Sequence, residues 1–315
     1  MIREGRQCCR PSFFKEVPKK GSFSCFSLEV IMEKALKRYA PIFVLPTFIA
    51  FTIGFIVPFF QGLYLSFCEF TTAKNAKFIG FDNYINIFGD ETFVDAFGFT
   101  VLFAIVSILS INIIAFALAL VLTRDKLKGT NVFRTVFFMP NLIGGIVLGY
   151  IWQILINCVL SIVGEPLLAL NTSAGYWGLI ILMCWQQIGY MMIIYIAGIQ
   201  NVPETLTEAA AIDGATSWQT LLKVKLPMVM PSITICVFLT LTNSFKLFDQ
   251  NLALTAGEPA HATEMLALNI YNTFYARAGA QWKGLGQAKA VVFCILVIVI
   301  SLIQFKATHS KEVQQ

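Results

Sequence analysis

Two groups of residues in this sequence are equipped for a molecular task, and neither is built for covalent catalysis. The first is the stretch Val202 to Ser232, VPETLTEAAAIDGATSWQTLLKVKLPMVMPS. Pro203 suits the first turn of a helix, and Glu204 beside it is favoured by the helix dipole. A short helix is predicted through Glu208, Ala209, Ala210 and Ala211. Asp213-Gly214 is a turn pair in which glycine accepts a positive φ. Thr216 and Gln219 have the spacing of a capping box for a second short helix. Pro227 and Pro231 mark the return to apolar sequence. The centre is made of small residues, Ala209, Ala210, Ala211, Gly214 and Ala215, which let a groove on another protein approach the backbone closely. Either fragment alone is an ordinary cap or turn; together, at this spacing, they point to docking. The second group is polar and sits in or beside long apolar runs: Gln186, Gln187 and Tyr190 next to Trp185, Asn112, then Asn243 and Ser244 followed by Lys246, Asp249 and Gln250. Amides donate and accept hydrogen bonds and aromatic faces stack on CH groups, which suits a polyhydroxylated solute. The same side chains also serve as hydrogen bonds between membrane helices, so path lining and interhelical bonding both stay open here.

Other chemistry is absent from the sequence. No G-x-x-x-x-G-K-S/T loop offers backbone amides to nucleotide phosphates, and neither H-E-x-x-H nor G-x-S-x-G occurs. The eight cysteines are scattered, without a C-x-x-C pair, and several lie in apolar runs, as small buried hydrophobes do. His261 and His309 are far apart and give no ligand cluster. Basic residues form no patch interleaved with aromatics, so no nucleic-acid surface is expected. No catalytic residue, metal site or cofactor is therefore expected, and any energy source must lie on another chain.

The elements that hold these residues follow from the apolar runs. The 315 residues have a mean hydropathy of +0.72 and only 13% charged residues, against about 25% in soluble domains. Ala40–Phe67, Ala96–Thr123, Thr135–Gly164, Pro166–Pro203 and Leu226–Phe245 carry no charge, and Gly284–Phe305 carries only Lys289. A helix needs about 20 apolar residues to cross the hydrocarbon layer, and backbone groups in lipid demand helices. An all-α membrane protein is expected, with six spans near 41–66, 98–122, 134–156, 175–199, 227–247 and 285–305. The transmembrane domain runs over 39–306, the helical elbow over 203–226 lies between spans four and five, and short tails occupy 1–38 and 307–315. Lys289 is expected to snorkel from its span toward the headgroups. Gly145 and Gly149 are spaced for close helix packing on this chain or a partner, and Pro140 is expected to kink span three. With six spans, 17 of the 23 Lys and Arg fall on the side of the termini and the elbow, which puts that side in the cytoplasm of a cell-membrane protein. Met32 opens a second plausible start, and residues 1–31 are expected to be disordered or untranslated.

The elbow resembles the EAA signature of permease subunits of binding-protein-dependent ABC importers. Glu208-Ala209-Ala210, Asp213-Gly214-Ala215, Val224-x-Leu226-Pro227 and Pro231 carry the likeness, with Trp218 at the aromatic position and Val224 in place of the usual isoleucine. Phe78–Tyr84 and Phe133–Trp152 are similar to segments of sugar-type members. Thr255–Pro259, after Phe248-Asp249, is similar to their T-G-G-G-P stretch, from which Ala256 and Glu258 depart. The likeness covers roughly residues 35 to 306 and points to the carbohydrate branch, with maltose-, lactose- and glycerol-phosphate-type members.

The resemblance implies the type I importer bundle and its mechanism. A loop helix, here Glu208, Ala209, Ala210, Asp213 and Gly214, sits in a cleft of a separate ATP-binding-cassette dimer. Closure of that dimer switches two permeases between inward- and outward-facing states, and an extracellular solute-binding protein delivers the carbohydrate. The second permease is expected to be a related, different chain. The substrate path is expected to include Gln186, Gln187, Tyr190, Asn243 and Asp249. Two other classes are weighed against this. An ion-coupled secondary transporter would favour acids buried within the spans, which the sequence lacks, and a membrane scaffold would not need the elbow.

Overall fold

A computed structural model describes residues 42, 44–124 and 127–309. The tail expected over 1–38, with its alternative start at Met32, and the last residues of the C-terminal tail lie outside the described residues. The chain divides into two units between Gln61 and Gly62. Helix α1, Val44–Leu65, begins in the first. It is π-helical over Thr52–Ile56, where the Thr52 hydroxyl donates to the Phe48 carbonyl (2.7 Å). Val44, Phe48 and Phe55 are exposed, as side chains facing lipid are.

The second unit opens with a two-residue antiparallel pair, β1 Cys68–Glu69 and β2 Lys77–Phe78, in which Cys68 faces Phe78. Helix α2, Asp82–Phe88, is fixed to it by the Asn83 amide, which donates to the carbonyls of Ser66 (2.9 Å) and Cys68 (3.0 Å). Asp90 caps helix α3, Glu91–Leu122, by accepting from the Thr92 N–H (3.2 Å). Helices α4, Thr130–Phe138, and α5, Gly145–Val163, lead to α6, Thr172–Gln200, which Asn171 caps. Two short helices follow, α7 Glu204–Ile212 and α8 Ser217–Met228, then α9 Met230–Phe245, the short α10 Asp249–Leu254 and α11 Leu266–Tyr271, and the long α12 Ala280–His309.

Among the described residues, five helices are long and apolar enough to cross a membrane, or six if the bent pair α8–α9 counts as one span. The core lies where α3 packs along α6. Ile111, Ala115 and Ala119 recur every fourth residue on α3 and are fully buried against α6 residues such as Met191 and Tyr195, because small side chains let the backbones approach. The Tyr195 hydroxyl donates to Asn112 Oδ1 (2.7 Å), and the Asn112 amide donates to Thr240 Oγ1 (3.3 Å). Asn112 therefore bonds α3 to α6 and α9.

The span expected over 134–156 is two pieces. A 3-10 turn, Met139–Leu142, separates α4 from α5, since Pro140 lacks the N–H that a continuous helix needs. The end of α4 instead crosses α6 at Gly189. A Cβ there would overlap the Phe137 carbonyl and lie 2.8 Å from the Phe138 nitrogen. The close-packing glycines of α5 find their neighbour in the same chain. A Cβ on Gly145 would lie 2.7 Å from Asp249 Cβ, and one on Gly149 would lie 2.7 Å from Ala253 Cβ, so α5 and α10 pack backbone to backbone.

Lys289 corrects a further expectation. It does not reach toward headgroups; its side chain is 0% exposed. Its ammonium donates to Asp90 Oδ2 (2.8 Å), Asn269 Oδ1 (2.9 Å) and Thr273 Oγ1 (2.8 Å), so all three N–H bonds are filled inside the protein.

Candidate functional site

The elbow forms from local chemistry. Glu204 stands in the first turn of α7, after Pro203. The helix ends in a Schellman arrangement: the Ala215 N–H donates to the Ala210 carbonyl (3.0 Å) and the Gly214 N–H to the Ala211 carbonyl (3.1 Å). Gly214 takes φ +76°, a left-handed conformation that favours glycine. Thr216 and Gln219 form the reciprocal capping box of α8: the Gln219 N–H donates to Thr216 Oγ1 (3.3 Å), and the Thr216 N–H donates to Gln219 Oε1 (2.8 Å).

Glu208, Ala209, Asp213 and Gly214 are exposed and Ala210 is half-buried. Around Gly214 the chain leaves open space, with no atom within 4 Å of a Cβ placed there. Ile212 is 86% and Trp218 67% exposed. Between the elbow and the end of α3 lies a cavity of 1170 Å³ lined by residues that include Val121, Arg124, Ala211 and Trp218. The helix thus presents small residues and two large apolar ones on a surface this chain leaves uncovered.

The elbow joins the membrane helices covalently. The axis bends by 70° between α8 and α9, at Val229, which is buried in the core. Pro227 lies in the last turn of α8, and Pro231 stands in the first turn of α9, where a missing N–H costs nothing. Ser232 locks the start of α9 against α6, since a Cβ on Gly198 would lie 2.8 Å from Ser232 Cβ.

At the other end of α9 the polar residues gather. The Asn243 amide donates to Gln187 Oε1 (3.3 Å), and the Gln250 amide donates to Gln186 Oε1 (2.8 Å). Gln186 also donates to the Ile143 carbonyl (3.3 Å). A pocket of 190 Å³ is lined by Met183, Gln187, Asn243, Lys246, Leu247 and Gln250. Lys246 is exposed there. Asp249, also exposed, opens α10 beside Gly145. The structure therefore brings Gln187 and Asn243 to one pocket, with Gln186 one hydrogen bond away. It does not bring Tyr190 there; that ring packs near Phe138, with centroids 6.4 Å apart. Ser244 is buried and donates within its own helix to the Thr240 carbonyl (2.8 Å).

A second polar cluster has no counterpart in the sequence reading. Glu264, 2% exposed by side chain, accepts from Asn269 (3.3 Å) and Asn272 (2.5 Å) and lies 2.9 Å from His261 Nδ1. Arg277 reaches Asp90 (3.5 Å) and stacks over Trp282 (4.6 Å). Burial works to raise the Asp90 carboxyl. The hydrogen bonds from Lys289 and Thr92, with the charges of Lys289 and Arg277, outweigh it and hold the group below its ordinary value. The signal was Lys289 itself, since an ionisable residue in a span demands a buried partner.

Comparison with known proteins agrees with this architecture. Residues 119–307 match the family model described as "Binding-protein-dependent transport system inner membrane component". The chain is 41% identical over 280 residues, 87% of its length and 94% of the relative's, to a probable starch degradation products transport system permease protein of Thermoanaerobacterium thermosulfurigenes. It is 32% identical over 292 residues, 90% of its length and 99% of the relative's, to a multiple sugar-binding transport system permease protein of Streptococcus mutans. Its fold is similar to a chain in the crystal structure of a bacterial ABC transporter that imports the acidic polysaccharide alginate, at a TM-score of 0.75 and 23% identity, over 89% of this chain and 98% of that one. A second structure, of a bacterial alginate ABC transporter in complex with an alginate pentasaccharide-bound periplasmic protein, gives a TM-score of 0.71 at 23% identity, over 86% and 94%.

Proposed function

From the membership of this chain in the family of binding-protein-dependent transport system inner membrane components, we propose that it is one permease subunit of an ATP-driven carbohydrate importer. An extracellular solute-binding protein delivers the sugar, a related second permease completes the path, and a separate ATP-binding-cassette dimer hydrolyses the ATP. The observation that carries the reading is the elbow: an exposed helix of small residues, closed by Gly214 and continuous with a membrane helix whose far end bears the amide pocket. Relatives named for starch products, multiple sugars, lactose and trehalose or maltose support the substrate class. Family membership also stands against an ion-coupled secondary transporter.

In this reading Glu208, Ala209, Ala210, Asp213 and Gly214 form the contact with the ATPase. The elbow and both termini face the cytoplasm, on the side of the membrane that holds most of the Lys and Arg. Gln187, Asn243, Lys246 and Gln250 line this chain's share of the substrate path, with Gln186 and Asp249 adjoining. Amides suit sugar hydroxyls because each group both donates and accepts.

The test is reconstitution. The chain is placed in proteoliposomes with its partner permease, ATPase and binding protein, and uptake of labelled maltose, trehalose and lactose is measured. Uptake of at least one sugar is expected only when both ATP and the binding protein are supplied. Import by the chain alone, or import indifferent to ATP, defeats the proposal.

A further inference from the structure

We infer that Lys289 is a positioning residue for the amide pocket: its buried ammonium fastens segment 249–277, which carries Gln250, to the start of α3. The inference rests on reading that pocket as part of the substrate path.

A lysine without exposed surface is costly unless paired, so its partners indicate its role. Its three acceptors belong to two separate places in the fold. Asp90 is the cap of α3, Asn269 lies in α11, and Thr273 lies in the turn just after it. The lysine belongs to α12 and so ties two membrane helices to the segment between α9 and α12. The Phe93 ring, 5.3 Å from the ammonium, closes the site on one side.

From this anchor a run of buried polar groups leads to the pocket. The Asn269 amide donates to Glu264 (3.3 Å). The next residue, Met265, donates its N–H to Asn251 Oδ1 (3.0 Å). The Asn251 amide donates to the Thr263 carbonyl (2.8 Å) and to Thr255 Oγ1 (3.0 Å). Asn251 follows Gln250, which donates to Gln186 in α6. Lys289, Asn269, Glu264 and Asn251 are all buried.

Apolar residues of similar volume would stabilise such a region at least as well. A fully bonded polar network does something else, which is to select one arrangement. Segment 249–277 needs this, because α10 has only six residues and α11 continues only through the π-helical turn Asn272–Ala276, and helices so short do not hold their own geometry. Its other face is already fixed, with Gly145 and Gly149 bringing the backbones of α5 and α10 together. Gln250 thus sits between two anchors, α5 on one side and the Lys289 network on the other, and its place in the pocket needs both.

The test uses the complete reconstituted importer with Thr263→Cys as a reporter, since Thr263 has no exposed surface. Labelling of the thiol introduced at this position by a membrane-impermeant maleimide is read by peptide mass, beside maltose uptake, in Lys289→Met and in Asp90→Asn/Lys289→Met. The single variant leaves the Asp90 carboxylate with Arg277, at 3.5 Å, as its one remaining cationic partner, whereas the double variant removes both charges of the short pair and is expected to regain part of the lost thermal stability. Labelling is expected to quicken about tenfold or more in the single variant and to stay fast in the double variant, with uptake reduced in both. Labelling at the parent rate in the double variant overturns the inference, because Lys289 then only neutralises Asp90. Fast labelling with parental maltose uptake instead sinks the reading of the pocket as path, and leaves the anchor standing.

Discussion

Gly214 offers a way to separate the folding of the elbow from its use. Its φ of +76° closes α7, and no atom of the chain lies within 4 Å of a Cβ placed on it. Substitution therefore meets no steric clash within this protein; the cost is in the backbone. A branched side chain held in the left-handed region costs about 1–2 kcal/mol. Asparagine tolerates that region, so Gly214→Asn adds volume to the exposed face while keeping the turn. Helix α7 has nine residues and is marginal on its own, so strain should emerge as local opening. Hydrogen exchange of the amides in 204–220 is expected to quicken about 5- to 30-fold in Gly214→Val and to change little in Gly214→Asn. ATPase binding and sugar uptake in the assembled importer are expected to fall in both variants. Normal uptake by Gly214→Asn would refute the docking role of this surface. Unchanged exchange in Gly214→Val would refute the strain argument.

Three further outcomes are expected. Gly189→Ala places a Cβ against the Phe137 carbonyl, a backbone atom that cannot step aside. Thermal melting in detergent should show a loss of about 1–3 kcal/mol, while Gly98→Ala on α3, where a Cβ has open space, should not destabilise. Gln187→Leu with Asn243→Leu removes the hydrogen bond across the pocket along with its amides. Uptake by the reconstituted importer should drop with assembly intact, and full uptake would remove these residues from the path. The Asp90 carboxyl is held below its ordinary value, so its contribution is complete above that value and is lost as pH falls through the lower, folded one. The melting temperature should carry an acid-side decline below about pH 4 that Asp90→Asn lacks.

How much of this was legible depended on the range of the interactions. The Schellman end at Gly214 and the capping box of Thr216 with Gln219 are closed within a few residues, so spacing alone predicts them. The apolar helices were equally open to reading, because lipid imposes length and composition on each segment separately. Features that depend on distant residues were not. Lys289 looked like a snorkelling residue near the end of a run, since its partner Asp90 lies in another element and Asn269 in a segment without apolar periodicity. The helices of that segment escaped notice because α10 and α11 are too short to show a period. Gly145 and Gly149 advertised close packing, yet their partner is α10, an element that no run of apolar residues announced. Pro140 marked a perturbation of the third span, but whether it kinks or ends a helix was decided by α4 crossing α6 at Gly189.

The same map of contacts limits how a push on the elbow can reach the pocket. Elbow and pocket lie at opposite ends of α9, a helix of 16 residues, or about 24 Å at 1.5 Å per residue. Nothing soft lies between them: Val229 is buried at the bend and Ser232 is pressed against Gly198. A tilt of about 10° about that pivot would carry the far end of such a helix about 4 Å, enough to break the bond between Asn243 and Gln187. The lever works only against a fixed reference. Gln187 rides on α6, whose core contacts with α3 are dense and apolar, so α6 is suited to stay while α9 moves. Displacement applied at Gly214 would then appear as separation of the two amides, because α9 can pivot at Val229 whereas α6, which also leads into the elbow through 201–203, is held by its core contacts with α3.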